Sequence, residues 1–275
     1  QGRVRVLLAP SNPVWCTDDL LLEIKRTADR YETGVHMHLL EAVHQKLYGL
    51  MHYGESALAH MSDLGLVGEF VSYVHGVWLT QDDAQILRET QTSVIHNPSG
   101  NLRLGSGIAP VRMLLEQGVN VAIGTDSQSI NEDEDFWTEM RLSWYLHRLP
   151  GLTGISSDWL TGGDVLGMAT ANGARAAFFG EQVGSLMPGK RADLIQVRAP
   201  MHEGGGQVDA QTFLGLLLAG TTRLDVSTVV VDGDVLMQER EFPQIDRRTV
   251  LDELRKAAKI SVSSRSALVE LSDVL

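Results

Sequence analysis

Val119-Asn120-Val121-Ala122-Ile123-Gly124-Thr125-Asp126 decides the fold: an apolar run ends on Gly-Thr-Asp, and a Ser-rich loop follows. A carboxylate at the carboxyl end of a buried strand is where a (β/α) barrel places its chemistry. Two more strand ends of this kind lie upstream, Val35-His36-Met37-His38-Leu39-Leu40-Glu41 and Val71-Ser72-Tyr73-Val74-His75-Gly76-Val77-Trp78. His, Glu, His and Asp at successive strand ends point to a metal-assisted hydrolase that activates water.

The segments between these ends alternate in type. Val4 to Ala9 reads as a short buried strand, broken by Pro10-Ser11-Asn12-Pro13. Thr17 can cap a helix from Asp18 to about Tyr31. A strand from Val35 to Leu40, a mostly helical stretch from Leu47 to Leu64 and a strand from Phe70 to Val74 follow. Thr80-Gln81-Asp82-Asp83 starts a helix to about Glu89, and Ser93 to His96 is a strand stopped by Asn97-Pro98. A glycine-rich loop then leads to a helix over Pro110 to Gln117 and to the strand Val119 to Ile123. Strand, loop and helix repeated about five times imply a parallel sheet with right-handed crossovers. Asp135 to Leu149 and Asp164 to Phe179 read as further helices.

After Gly180 the pattern changes. Gly184-Ser185-Leu186-Met187-Pro188-Gly189-Lys190 is turn chemistry, Ala192 to Arg198 reads as a strand, and Gly204-Gly205-Gly206 as a flexible loop. Val226 to Val231 and Val235 to Met237 flank Asp232-Gly233, a hairpin signal. Leu251 to Lys259 reads as a helix. The expected organisation is therefore the C-terminal portion of a (β/α) barrel over residues 1–180, and part of a small β-sandwich with a C-terminal helix over 181–275.

Composition narrows the function class. A chain of 275 residues can bury a large core, and 43% hydrophobic with 21% charged residues is ordinary for a globular protein. The net charge of −12 argues against a nucleic-acid surface, which needs a basic patch. A lone cysteine, Cys16, allows no internal disulfide and fits a reducing cytoplasm. No apolar stretch reaches membrane-spanning length, no signal peptide is recognisable, and a homo-oligomer is expected. An opening of Gln-Gly-Arg-Val-Arg-Val in place of Met is expected of a trimmed, processed or partly represented chain.

Side chains alternate along a strand, so His36 and His38 face the same way. A His-X-His pair on a strand is a metal-ligand arrangement, and imidazole suits zinc and iron. Glu41, just past the strand, could handle a proton from activated water, and Asp126 could serve as an oxygen ligand or a base. Each residue also has a plainer reading. A strand-end His75 is a common surface residue, His96 could hydrogen-bond its own loop, and Asp126 could cap a turn. His44, His52, His60, His147 and His202 read as structural or solvated, and Trp137, Met140 and Trp144 as a core stripe.

These motifs, with His96-Asn97-Pro98-Ser99-Gly100-Asn101-Leu102-Arg103-Leu104-Gly105-Ser106-Gly107-Ile108-Ala109-Pro110 between the second and third, resemble the amidohydrolase superfamily. The resemblance is nearest to the metal-dependent aminohydrolases that act on adenosine-type, guanine-type, cytosine and triazine substrates. It implies a (β/α)8 barrel of which this chain holds about strands four to eight. It implies His38 as the strand-five metal ligand and Glu41 as the acid/base that shuttles a proton to the substrate ring. It further implies His75 as the strand-six residue contacting attacking water or substrate, and Asp126 as the strand-eight aspartate that binds metal and takes the water proton. His96 and Asn101 then lie in the strand-seven loop facing the substrate pocket. One divalent metal, zinc or alternatively iron, is the implied cofactor.

Two departures stand out. The family carries a His-X-His pair at the end of strand one, and too few residues precede His38 to hold strands one to three. His36 therefore reads as a neighbour of the ligand, and a complementary N-terminal segment or chain of the same barrel is expected. Several adenosine-type members carry a Gly-Pro-His-Ser-Pro run after strand four, where this chain has Ala9-Pro10-Ser11-Asn12-Pro13. Ser11 in the substrate-binding position favours a small base-like or pterin-like ring over a bulky nucleoside. The expected reaction is hydrolytic deamination of an amino-substituted N-heterocycle of purine, pterin, pyrimidine or triazine type. A non-catalytic remnant with a binding or structural role is the alternative, as is a triazine-type hydrolase that removes a substituent other than ammonia.

Overall fold

The computed structural model describes residues 2–127, 129–131, 133–148, 159–198 and 208–258. The glycine run 204–206, His202, the end of the helix expected to reach Leu149, and position 259 lie outside the described residues.

Two compact units are formed: residues 1–192 with 199–225, and residues 193–198 with 226–275. The first is built on a parallel sheet of β1 (Val35–Leu39), β2 (Val71–His75), β3 (Ser93–His96) and β4 (Val121–Ile123), ordered as in the chain. Neighbouring strands are joined by helices, the βαβ arrangement expected of a barrel wall. All residues of β2 and β4 are buried, as strands covered on both faces must be.

The connecting helices start where the sequence places their caps. Thr17 accepts a hydrogen bond from the Leu20 N–H at the head of α1 (Asp18–Tyr31). Thr80 and Asp83 form a reciprocal capping box on α4 (Gln81–Thr90). The stretch after β1 is helical in three pieces: α2 (Val43–Tyr48), a π-type turn (Gly49–Tyr53) and α3 (Ala57–Asp63). Then come α5 (Pro98–Arg103) after β3, α6 (Val111–Glu116) before β4 and α7 (Phe136–Leu146) after it. Leu21, Leu58, Met61, Leu87 and Leu114 from these helices, with Met37, Leu39 and Tyr73 from the sheet, are fully buried. Trp137, Met140 and Trp144 of α7 are buried, as the core-stripe reading expects.

Two elements depart from the sequence reading. Val4 to Ala9 does not form a strand: Val4 and Val6 are exposed, and only Leu8 makes a parallel bridge, to Val35. The helix expected over Asp164 to Phe179 is broken at Thr170 into α8 (Gly162–Ala169) and α9 (Ala171–Ala176). Thr170 bonds back through its hydroxyl to the Leu166 carbonyl at 2.6 Å, which competes with the helical ladder.

β5 (Leu194–Val197) belongs to the second unit. α10 (Ala210–Gly220) returns to the first, where Arg141 of α7 donates to the carbonyls of Leu218 (2.9 Å) and Thr221 (2.5 Å). The second unit is an antiparallel sheet of β5, β6 (Val226–Val231) and β7 (Asp234–Met237), with a helix over 247–258. Asp232 (φ 53°) and Gly233 (φ 84°) make the tight β6–β7 turn that the Asp-Gly pair signals.

Candidate active site

Parallel pairing aligns the carboxyl ends of β1 to β4 along one edge: Leu39 lies opposite His75, and His96 opposite Ile123. Three of these ends turn through the left-handed region on residues other than glycine: Leu40 (φ 50°), His75 (φ 74°) and Asp126 (φ 63°). Such conformations persist only where the surroundings over-determine them, and they cluster at functional sites.

His38 stands exposed at the end of β1. Its main-chain N–H and its Nδ1 both meet the Ser11 carbonyl, at 3.1 and 2.8 Å. A carbonyl only accepts, so Nδ1 carries a proton, and in the neutral ring Nε2 keeps the lone pair. His75, buried at the end of β2, repeats the device: its Nδ1 lies 2.8 Å from Asn101 Oδ1. The two imidazoles stack at 5.4 Å between centroids, 19° from parallel. His36, two residues before His38, has the Ser72 hydroxyl on its Nδ1 at 2.7 Å. Burial holds its pKa below the ordinary range, and His38 and His75 add to the effect.

Asp126 follows β4. Its Oδ1 accepts the Ser127 N–H at 2.8 Å. Its other face lies on Gly100, where a β-carbon would sit 2.7 Å from Oδ2. A side chain at position 100 would therefore displace the carboxylate. The next residue of α5 is Asn101, so one short helix touches Asp126 and holds His75. His38, His75, Asn101, Gly100 and Asp126 thus form a continuous set of neighbours.

Glu41 sits two residues beyond β1, half-buried, its main-chain N–H donated to Gln45 Oε1 at 3.0 Å. Its carboxylate accepts no hydrogen bond from the described residues. Ser11 contributes through its carbonyl, which any residue could supply. His96 ends β3 fully buried, with both ring nitrogens unpartnered among the described residues. Burial pushes its pKa down to about 3, with His147 and His75 adding to the effect. His147, read from sequence as structural or solvated, packs edge-on against His96 at 5.4 Å. Its ring nitrogens face the Ser143 and Ala109 carbonyls, at 2.8 and 3.1 Å.

The donor chemistry suits a divalent metal. His38 offers a lone-pair Nε2 whose ring is oriented through Nδ1, the usual arrangement of a ligating histidine, and Asp126 offers a carboxylate oxygen. A catalytic zinc site takes about three protein ligands, and among the described residues no three His, Cys, Asp or Glu groups converge to hold an ion.

The family model described as "Amidohydrolase family" matches residues 1–236. The chain belongs to the amidohydrolase family. A 5′-deoxyadenosine deaminase of Methanosarcina mazei is 36% identical over 259 residues, 94% of this chain and 58% of the relative. A 5-methylthioadenosine/S-adenosylhomocysteine deaminase of Caldanaerobacter subterraneus is 32% identical over 94% of this chain and 58% of the relative. This amidohydrolase chain thus spans under three-fifths of the length of these curated relatives. The zinc-bound crystal structure of an adenosine deaminase from Xanthomonas campestris superposes with a TM-score of 0.82 at 30% identity, covering 91% of this chain and 56% of the other. A triazine hydrolase from Arthrobacter aurescens gives 0.81 at 25% identity, covering 91% and 54%. The fold is the amidohydrolase (β/α)8 type, with Leu8 marking in a single bridge the position expected for the fourth strand. Among the described residues no helix is long and apolar enough to cross a membrane.

Proposed function

We propose that the complete polypeptide is a metal-dependent aminohydrolase that deaminates an adenosine-type 6-aminopurine, releasing ammonia. The observation that carries this reading is the pair of stacked histidines, His38 and His75, each oriented through Nδ1 and linked through α5 to Asp126, with Glu41 two residues beyond β1 in the chain. The names of the curated relatives supply the adenosine-type ring. They outweigh the preference for a smaller ring drawn from Ser11, whose observed contact is main-chain.

His38 Nε2 and an Asp126 oxygen would hold the metal, zinc being favoured by the zinc-bound relative. The remaining ligands would come from a segment of the barrel outside this sequence. When bound, the metal lowers the pKa of water and so supplies a nucleophile near neutral pH. Asp126 accepts a proton from that water. His75, with its proton on Nδ1, presents an acceptor Nε2 to a water O–H and so turns an oxygen lone pair toward the ring carbon that bears the amino group. Glu41, in its protonated form, gives its proton to the adjacent ring nitrogen as the carbon–oxygen bond forms. The proton taken by Asp126 then goes to the amino group, the carbon–nitrogen bond breaks and ammonia leaves, while the remaining hydroxyl proton passes to Glu41, which restores its protonated form and leaves the ring a carbonyl. His96, at the end of β3, and Asn101, in α5, would back the substrate pocket. A single cysteine, Cys16, fits a reducing compartment such as the cytoplasm.

The test is ammonia release by the complete, metal-loaded polypeptide on 5′-deoxyadenosine, 5-methylthioadenosine and S-adenosylhomocysteine, beside guanine, a pterin and an aminotriazine. Best turnover on an adenosine-type member is expected. Best turnover on a pterin or a free base would restore the Ser11 argument. Removal of a triazine substituent other than ammonia, with none from any amino-heterocycle, would favour the triazine-type reading that the Arthrobacter likeness also permits.

A further inference from the structure

α7 carries a carboxylate that the mechanism above does not use. Glu139 is fully buried, and no cation pairs with it among the described residues. Its Oε2 accepts the Ser99 N–H at 3.1 Å and its Oε1 accepts the Asn131 side-chain amide at 2.7 Å. The same Asn131 nitrogen also reaches the Ser99 hydroxyl at 3.2 Å. Burial raises the Glu139 pKa, while the bonds from Ser99 and Asn131 pull it back down. A buried carboxyl is costly unless its hydrogen bonds are made, so these donors are held where it needs them.

The donors come from the two loops that carry the chemistry. Ser99 lies in α5, directly before Gly100, which meets Asp126, and Asn101, which holds His75. Asn131 closes the loop that begins at Asp126, and its main-chain N–H donates to the Ser127 carbonyl at 2.9 Å. One carboxylate therefore ties the loop after β3 to the loop after β4.

We propose that Glu139 is a positioning residue: its clamp on Ser99 and Asn131 sets how α5 presents Asn101 to His75 and Gly100 to Asp126. The proposal rests on the deaminase reading for its kinetic consequence, but its structural consequence can be read without turnover. Glu139→Gln keeps size and shape while replacing one acceptor oxygen with an amide that faces a donor. Partners of this kind typically matter by about 10–100-fold in activity or metal affinity.

The experiment uses the complete metal-loaded protein and two variants, Glu139→Gln and Asn131→Ala. It compares kcat and KM on the best substrate, melting temperature, and the ring N–H resonance of His75 by 15N-edited NMR. We expect kcat to fall by about 10–100-fold with KM nearly unchanged. The His75 Nδ1–H signal should shift or broaden through exchange, with little change in melting temperature. An unchanged His75 signal would overturn the proposal, as would a loss of kcat that only tracks loss of folded protein. If Glu139→Gln does not fold, Asn131→Ala decides by the same criteria. If the wild type releases no ammonia, the deaminase reading fails, and the His75 signal alone decides the positioning claim.

Discussion

Asn101→Ala should be the most revealing single change at the site. Asn101 is buried, and its Oδ1 takes the His75 Nδ1–H at 2.8 Å. Its Nδ2 has no partner among the described residues, so truncation removes one useful bond only. The His75 ring would then keep a buried donor without an acceptor, a loss of about 1–3 kcal/mol. It would also lose the contact that sets its tautomer. At about 1.4 kcal/mol per factor of ten, full expression in the transition state corresponds to roughly 5–150-fold in kcat/KM. Asn101→Asp keeps an oxygen at the same place and should retain more activity than the alanine variant. The assay is kcat/KM of the complete protein at matched metal content, with melting curves to exclude unfolding. An alanine variant within about twofold of wild type would refute the role assigned to the His75–Asn101 bond.

Three further outcomes are expected. Glu41→Gln should keep its metal while losing about 10²–10⁴-fold in kcat, because an amide cannot deliver the proton, and metal analysis with steady-state kinetics checks this. His96 is held at about 3 in the folded chain against an ordinary 6.5. The unfolded chain therefore binds its proton more readily between those values, and stability should rise with pH across that window by up to about 1.4 kcal/mol per unit. Glu139, raised by burial, works in the opposite sense, contributing stability at low pH that is lost as pH rises through its folded pKa. Urea midpoints from pH 4 to pH 7 should accordingly be less pH-dependent in His96→Phe, and parallel curves for variant and wild type would contradict this. Tyr73→Phe should destabilise by about 1–3 kcal/mol, since it leaves the Leu66 carbonyl without the buried hydroxyl that now donates to it at 2.5 Å, as denaturant melts would show.

Local chemistry made much of the frame readable in sequence. Asn97-Pro98 stops β3 because proline sets the backbone of its neighbour, and Thr17 and Thr80 mark helix starts because their hydroxyls accept the first free N–H groups. Strand ends could be located by these stops, and with them the places of His38, His75 and Asp126. Long-range contacts were not readable. The alternation of Val4 and Val6 suggests a strand, yet pairing depends on a distant partner, and only Leu8 finds one. Glu139 reads as a polar residue on a helix whose neighbours pack inward. It is buried because Ser99 and Asn131, from two separate loops, bring it donors. His147 is near the site for a similar reason: α7 folds back so that its end meets His96. The tautomers of His38 and His75 depend on Ser11 and Asn101, each 26 or 27 positions away in the chain.

Ammonia formation from 5′-deoxyadenosine by the complete, zinc-loaded polypeptide in 18O-labelled water tests the central claim most directly. We expect one ammonia per substrate consumed and one 18O in the ring carbonyl of the product, with both lost when the metal is removed by a chelator. Ammonia without label in the ring, or no reaction on any amino-heterocycle at full metal occupancy, would contradict hydrolytic deamination at the His38–His75–Asp126 edge.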